Sequence, residues 1–256
     1  MIIAPLLMRL YDGDVLSDQE WKCIIETINA HHITLPEALA LNIWSDNPTP
    51  LQEQLKRGSA QAYCVREIHN LKQKLHSRQI PQNNIHDIIQ AVENIPYTQF
   101  SLKECYDSML AVCTTIIKPS ICASVRNLHI AHSAPEIVKH ICTAIMRHPL
   151  AEPLTVYRAV KNTYPDPIII NRGLTSTSVT ASASFVKYDG YNTILELILP
   201  AGFHCINIAP FSNYDDVEQE ILLPPNRITV SEHYTQAQHV YIKGTAQELG
   251  EFAESP

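Results

Sequence analysis

The sequence holds only seven glycines in 256 residues, and none falls in a GxGxxG or GxxxxGK[ST] run. A Rossmann-type dinucleotide turn and a phosphate-cradling P-loop are therefore both absent. No GxSxG elbow is present, which argues against an α/β-hydrolase. The twelve histidines, His31, His32 and His204 among them, show no HExxH or comparable metal spacing, so they read as surface or satisfied polar residues. The seven cysteines are odd in number and none sits in CxxC spacing. They read as reduced core thiols rather than a disulfide framework or a zinc site. Chance Cys–His pairings are numerous, but nothing local supports Cys–His catalysis. Positive charge is also scarce: 19 Lys+Arg stand against 26 Asp+Glu, a net charge of −7. The densest basic stretch, Lys72 to Arg78, reads as a solvated helix face, so neither nucleic acid nor an anionic membrane is expected as a partner. The opening MIIAPLLMRLYDGD has a short apolar run, no basic residue before it and no cleavage pattern after it. It is a poor signal peptide and far too short to span a bilayer. The expectation is a soluble chain in a reducing compartment, with any export by a signal-peptide-independent route.

Apolar residues make up 45% and charged residues 18%, a globular composition with enough material for a large core in one or two domains. Up to about Met146 the apolar period is helical. Ser17-x-x-Glu20 is a capping box, followed by Trp21, Ile24, Ile25 and Ile28 on one face. A single helix is expected over Leu51 to His76. Asn84 precedes a stripe of Ile85, Ile88, Ile89 and Val92. Ser101-x-x-Glu104 and Ser133-x-x-Glu136 open two more helices, the latter with Pro135 in its first turn. From Pro153 the period becomes two-fold, in runs over Leu154–Val160, Thr193–Leu199, Phe203–Ile208, Glu218–Leu223, Arg227–Ser231 and Val240–Lys243. Helices first and strands after indicate an α+β fold. The expected organisation is a helical region over 1–133, a β-rich core over 134–247 and a frayed tail over 248–256.

Three placements in the strand half are unusual. Arg158 alternates with Leu154, Val156 and Val160 on an apolar strand face, where a guanidinium must be paired. An internal carboxylate bridge is the ordinary partner; an anionic ligand such as a phosphate is the alternative. Ser176-Thr177-Ser178 places Leu174, Ser176 and Ser178 on one face. Inward hydroxyls can hold a carboxylate or a ligand, but taken alone ordinary β-strand Ser/Thr pairing is the preferred reading. Glu218-Gln219-Glu220 puts two carboxylates on one strand face, about 7 Å apart, leading into Ile221-Leu222-Leu223 and ending at Pro224-Pro225. Like charges this close repel and raise at least one pKa. Paired carboxylates at a cleft are also what acid–base and oxocarbenium chemistry use.

In this order, an inward Arg, a hydroxyl trio and then an ExE, the three resemble the R-S-E class of mono-ADP-ribosyltransferases, the toxin-like and ecto-enzyme branch. The resemblance covers about Ile137 to Lys243. Ala159 stands where members most often have Gly. The helices ahead of the core resemble those of many bacterial members, without a specific motif. The resemblance implies a two-sheet β core with NAD+ bound bent in a cleft between the sheets, and no metal. It implies Arg158 on the pyrophosphate or ribose edge, and the main chain of Ala159 on the nicotinamide amide. Ser176 would orient the catalytic glutamate, with Thr177 and Ser178 shaping the strand and the nicotinamide side. Glu220 would bind the nicotinamide-ribose hydroxyls and stabilise the oxocarbenium-like transition state. Glu218 would orient the acceptor or take its proton. Phe185 would stack on the nicotinamide, or equally pack as a core helix residue.

The resemblance further implies that the turn at Tyr214, Asp215 and Asp216 helps choose a target protein, its acidic pair suiting a basic surface. Glutamate at position 218 usually accompanies arginine as acceptor, although some effectors with this core modify a hydroxyl residue on host ubiquitin. The expectation is therefore a transferase, an NAD+–protein mono-ADP-ribosyltransferase of bacterial effector or toxin type. It would act as a monomer in a host cytosol. An NAD+ glycohydrolase and a catalytically silent binding module remain the alternatives.

Overall fold

The computed structural model describes residues 2–11, 14–77, 79, 81–93, 126–128, 130–161, 164, 166–182, 191–212, 219–236 and 239–250. The first half supplies α1 (Ala4–Tyr11), α2 (Asp18–Ala30), α3 (Leu35–Asp46), α4 (Pro48–Arg57), α5 (Gln61–His76) and α6 (Gln82–Glu93), followed by α7 (Ala134–Met146). The strands follow, with a helical stretch at Ala181 and Ser182 among the described residues. They are β1 (Leu154–Val160), β2 (Ile168–Asn171), β3 (Thr175–Ser178), β4 (Thr193–Leu199), β5 (Ile206–Asn207), β6 (Glu220–Leu223), β7 (Asn226–Gln236) and β8 (His239–Glu248). The class is α+β, and β1 and β4 occupy the expected residues. β2 was not foreseen.

Local chemistry explains the helix ends. The Ser17 box forms in both directions: the Ser17 amide donates to Glu20 Oε2 at 2.7 Å and the Glu20 amide to Ser17 Oγ at 3.4 Å. The Ser17 amide and hydroxyl, with the Arg9 guanidinium, hold the Glu20 carboxyl down at about 2. A second box, unread in the sequence, starts α3 with Thr34 and Glu37. The expected helix over Leu51 to His76 is in fact two, because Gly58 takes φ +70°, a left-handed C-cap that ends α4. The Ser133 box does not form. Ser133 has φ −86° and ψ 2° rather than extended backbone, so its side chain makes no cap bond. The helix expected from Ser101 lies outside the described residues.

All eight strands join in one sheet of order β2-β7-β8-β4-β1-β3-β6-β5. The β4–β8 pair is parallel and the others are antiparallel. Hydrogen bonding thus describes one sheet and not the two that were expected. The join is thin. β1 pairs with β4 over its whole length, but with β3 only at Tyr157↔Ser178. A five-stranded portion and a three-stranded portion meet at that pair.

Two hydrophobic clusters explain the layering. Leu174, Ile206, Phe211 and Leu222 join the helices in one. Ile221 and Leu223 join Val156, Leu195, Leu197 and Ile242 in the other. Successive β6 residues therefore feed opposite clusters, and all four are buried. Strand β6 is covered on both faces, with helices on the side of Leu222.

The helical layer is tied together at Glu37, whose carboxylate is almost fully buried. It accepts from the Thr34 amide and from Arg147 Nη1, each at 2.7 Å. We expect Glu37→Ala to lower the unfolding free energy by about 2–3 kcal/mol, measured by urea titration, since it removes a cap and a buried partner of Arg147.

Burial raises the Cys142 thiol to about 12 and the Cys205 thiol to about 11, the latter helped by the Glu248 charge. Both should resist iodoacetamide at pH 8 in the native protein and react once it is unfolded, as peptide mass mapping will show. A raised thiol pKa contributes stability below the unfolded value near 9, so this contribution falls as the pH rises from about 9 towards 11–12.

Candidate active site

Three segments far apart in sequence lie on adjacent strands. β3 is bordered by β1 on one side and by β6 on the other. Ser178 stands in register with Glu220 and, across the other edge, with Tyr157. Tyr157 is in turn opposite Glu196 on β4. Directly opposed residues of an antiparallel ladder project to the same face, so Tyr157, Ser178 and Glu220 form one row. Glu220 also shares its face with Leu222, and hence looks towards the helical layer. It is 6% exposed and Ser178 is 5% exposed.

Ser176 pairs with Leu222 and reaches Glu220 only as a diagonal neighbour, roughly 7–8 Å away between Cα atoms. Its hydroxyl accepts a hydrogen bond from Trp44 Nε1 of α3 at 3.4 Å. Thr177 faces the other way. Its hydroxyl donates to the Ile221 carbonyl at 2.8 Å and staples β3 to β6. Ser178 Oγ accepts from the Thr180 amide at 3.3 Å and so ends the strand in a turn.

Arg158 is half-buried, and alternation gives it the face of Val156 and Val160, opposite to that of Tyr157. Its Nη1 donates to the Ser176 carbonyl at 3.3 Å. The bond joins β1 and β3 beside their single registered pair. Arg158 therefore meets the serine strand through its main chain. Ala159 lies opposite Ile194 on β4.

One expectation about the glutamates needs correction. The strand begins at Glu220, and Gln219 takes φ +44°, in the left-handed region. Strict alternation does not run back through Gln219, so the argument placing Glu218 on the face of Glu220 fails. Glu218, together with Phe185, Tyr214, Asp215 and Asp216, lies outside the described residues.

Two residues of the site were not read from the sequence. Tyr157 sits between Val156 and Arg158, and only its pairing with Ser178 reveals it. Trp44 lies in a helix with no recognised start signal. Neighbouring contacts fix the same region. Gln52 Nε2 donates to the Leu174 carbonyl at 2.7 Å, and its side chain fills the space a Cβ at Gly173 would need. Glycine at 173 thus admits the close approach of α4 to β3.

Farther along the sheet, Tyr234 Oη donates to Glu196 Oε2 at 2.5 Å, and Lys243 Nζ lies 3.4 Å from Glu196 Oε1. Partial burial and the Glu196 carboxylate raise the Tyr234 phenol. Among the described residues, no group of three His, Cys, Asp or Glu is placed to hold a metal ion, and no helix is long and apolar enough to cross a membrane.

No protein-family model matches the chain, and no curated protein matches it. Among solved structures, the chain is similar to C3stau2 from S. aureus with NAD, with a TM-score of 0.49 and 13% identity over 87% of this chain and 91% of that one. It is similar to the Clostridium limosum C3 exoenzyme, with a TM-score of 0.47 and 13% identity over 93% and 100%. It is also similar to an ADP-ribosyltransferase from Clostridium botulinum in a triclinic crystal form, with a TM-score of 0.46 and 12% identity over 86% and 92%.

The left-handed Gln219 gives a direct test of the turn into β6. We expect Gln219→Gly to keep the melting temperature and Gln219→Val to cost about 1–2 kcal/mol by urea titration, because a β-branched side chain resists positive φ.

Proposed function

We propose that the protein is a mono-ADP-ribosyltransferase that uses NAD+ as co-substrate and attaches ADP-ribose to a side chain of a target protein. The observation that supports this reading is the adjacency of β1, β3 and β6, which sets the Arg158, Ser176–Ser178 and Glu220 segments on neighbouring strands, with Arg158 on the face of Val156 and Glu220 on the opposite one, that of Tyr157 and Leu222. The residues fit the substrate chemically. A guanidinium suits a pyrophosphate, while a carboxylate and hydroxyls suit a ribose diol.

In the proposed reaction the bond between ribose C1′ and the nicotinamide nitrogen breaks, and nicotinamide leaves with the bonding pair. Glu220 holds the ribose hydroxyls and offsets the positive charge that grows on the sugar. Its nearly buried position strengthens that interaction, because little water competes there. Arg158 holds the phosphates. The acceptor heteroatom then bonds to C1′ and gives up a proton, for which Glu218 is the proposed base. Tyr214, Asp215 and Asp216 are proposed to meet the target protein, and Phe185 the nicotinamide ring. The target is proposed to be a protein of a host cell, with arginine as the acceptor or, as on ubiquitin, a hydroxyl residue.

The test is incubation with adenylate-labelled NAD+ and a cell lysate. We expect label on a protein band from the parent and none from Glu220→Gln. Glu218→Gln should retain some nicotinamide release while losing transfer. Nicotinamide release without any labelled protein would favour a glycohydrolase, and neither product would favour a silent binding module. Transfer by Glu218→Gln at the parent rate would remove that residue from its role.

A further inference from the structure

We propose that Trp44, in the helical half, is a positioning residue for this reaction: its indole N–H holds the Ser176 hydroxyl so that the serine proton is directed towards Glu220. The proposal rests on the function proposed above.

An indole N–H can only donate, whereas a serine hydroxyl both donates and accepts. Trp44 and Ser176 are 132 residues apart in sequence, and Trp44 Nε1 lies 3.4 Å from Ser176 Oγ. In that contact the serine oxygen must therefore accept. Its own proton is thereby turned away from Trp44. Glu220, on the same face and one diagonal away, is the acceptor for which its position suits it. A hydroxyl whose rotor is already set costs less to order when the charge develops.

The indole is itself held firmly. Trp44 is 2% exposed within the helical cluster. Its helix is fastened on both sides of the site. Gln52, on the next helix, holds the Leu174 carbonyl at the approach to β3. Asn42 Nδ2 donates to the Phe211 carbonyl at 2.8 Å, and the Ser45 and Ser212 hydroxyls lie 2.8 Å apart. These last contacts hold the chain that leads towards β6. The ladder fixes the spacing of β3 and β6; the helices are fastened to the chain beside both strands, and Trp44 uses that frame to orient one hydroxyl. On this account the helices are part of the catalytic unit and not only a support for binding a partner.

Two measurements test the proposal separately from the reading beneath it. The chain has two tryptophans, so a ¹⁵N-labelled sample gives two indole N–H resonances, assigned by Trp21→Phe and Trp44→Phe. Ser176→Ala should shift the Trp44 resonance and leave that of Trp21 in place. In the turnover assay, Trp44→Phe keeps an aromatic ring but removes the donor. We expect kcat for nicotinamide release to fall about three- to tenfold, with KM for NAD+ within about twofold of the parent. The double variant with Ser176→Ala should be no slower than Ser176→Ala alone, because both changes remove one interaction. An unmoved Trp44 resonance, an unchanged kcat in Trp44→Phe, or multiplicative losses in the double variant would each overturn the proposal. A parent protein that releases no nicotinamide from NAD+ would overturn the functional reading and this role with it, while the resonance shift would still report the Trp44–Ser176 contact.

Discussion

The site depends on the burial of a four-residue strand on both of its faces. Ile221 and Leu223 are held by the sheet cluster and Leu222 by the helical cluster. With both sides packed, β6 cannot rotate or slip by one residue without moving an apolar side chain out of its core. Glu220 opens this strand, so its carboxylate is presented on the helical side by the packing of the residues that follow it. A nearly buried carboxylate is costly unless it has polar company. Ser178 and Tyr157 provide polar neighbours in the row that the register creates.

The thin seam between β1 and β3 is the second constraint. One residue pair joins the five-stranded and three-stranded portions. Beside it Arg158 adds a side-chain tie, donating to the Ser176 carbonyl. A guanidinium with five donors can serve a carbonyl and other partners at once.

The helices contribute more than a covering layer. Gln52, Trp44, Ser45 and Asn42 reach the two strand regions that frame the site, at Leu174, Ser176, Ser212 and Phe211 respectively. Glycine at 173 belongs to the same arrangement, since any side chain there would meet Gln52. The two halves of the chain therefore share one core, in which Leu174 and Leu222 of the strands pack with residues of the helices.

By itself the sequence determined what is local. Two-fold alternation marked β1 and β4 to the residue, the Ser17 box marked the start of α2, and Pro224-Pro225 marked the end of β6. The order of Arg, hydroxyl trio and ExE singled out the segments that became neighbours. Where the local rule failed, a backbone dihedral was responsible: Gly58 broke one helix into two, Ser133 did not cap, and Gln219 interrupted the alternation at the glutamates. Only the tertiary structure decided that β3 lies between β1 and β6, that Tyr157 joins the row, and that an indole from the first half reaches Ser176. Strand order and long-range register come from which apolar faces can be buried together, and that is a property of the assembled core rather than of any window of residues.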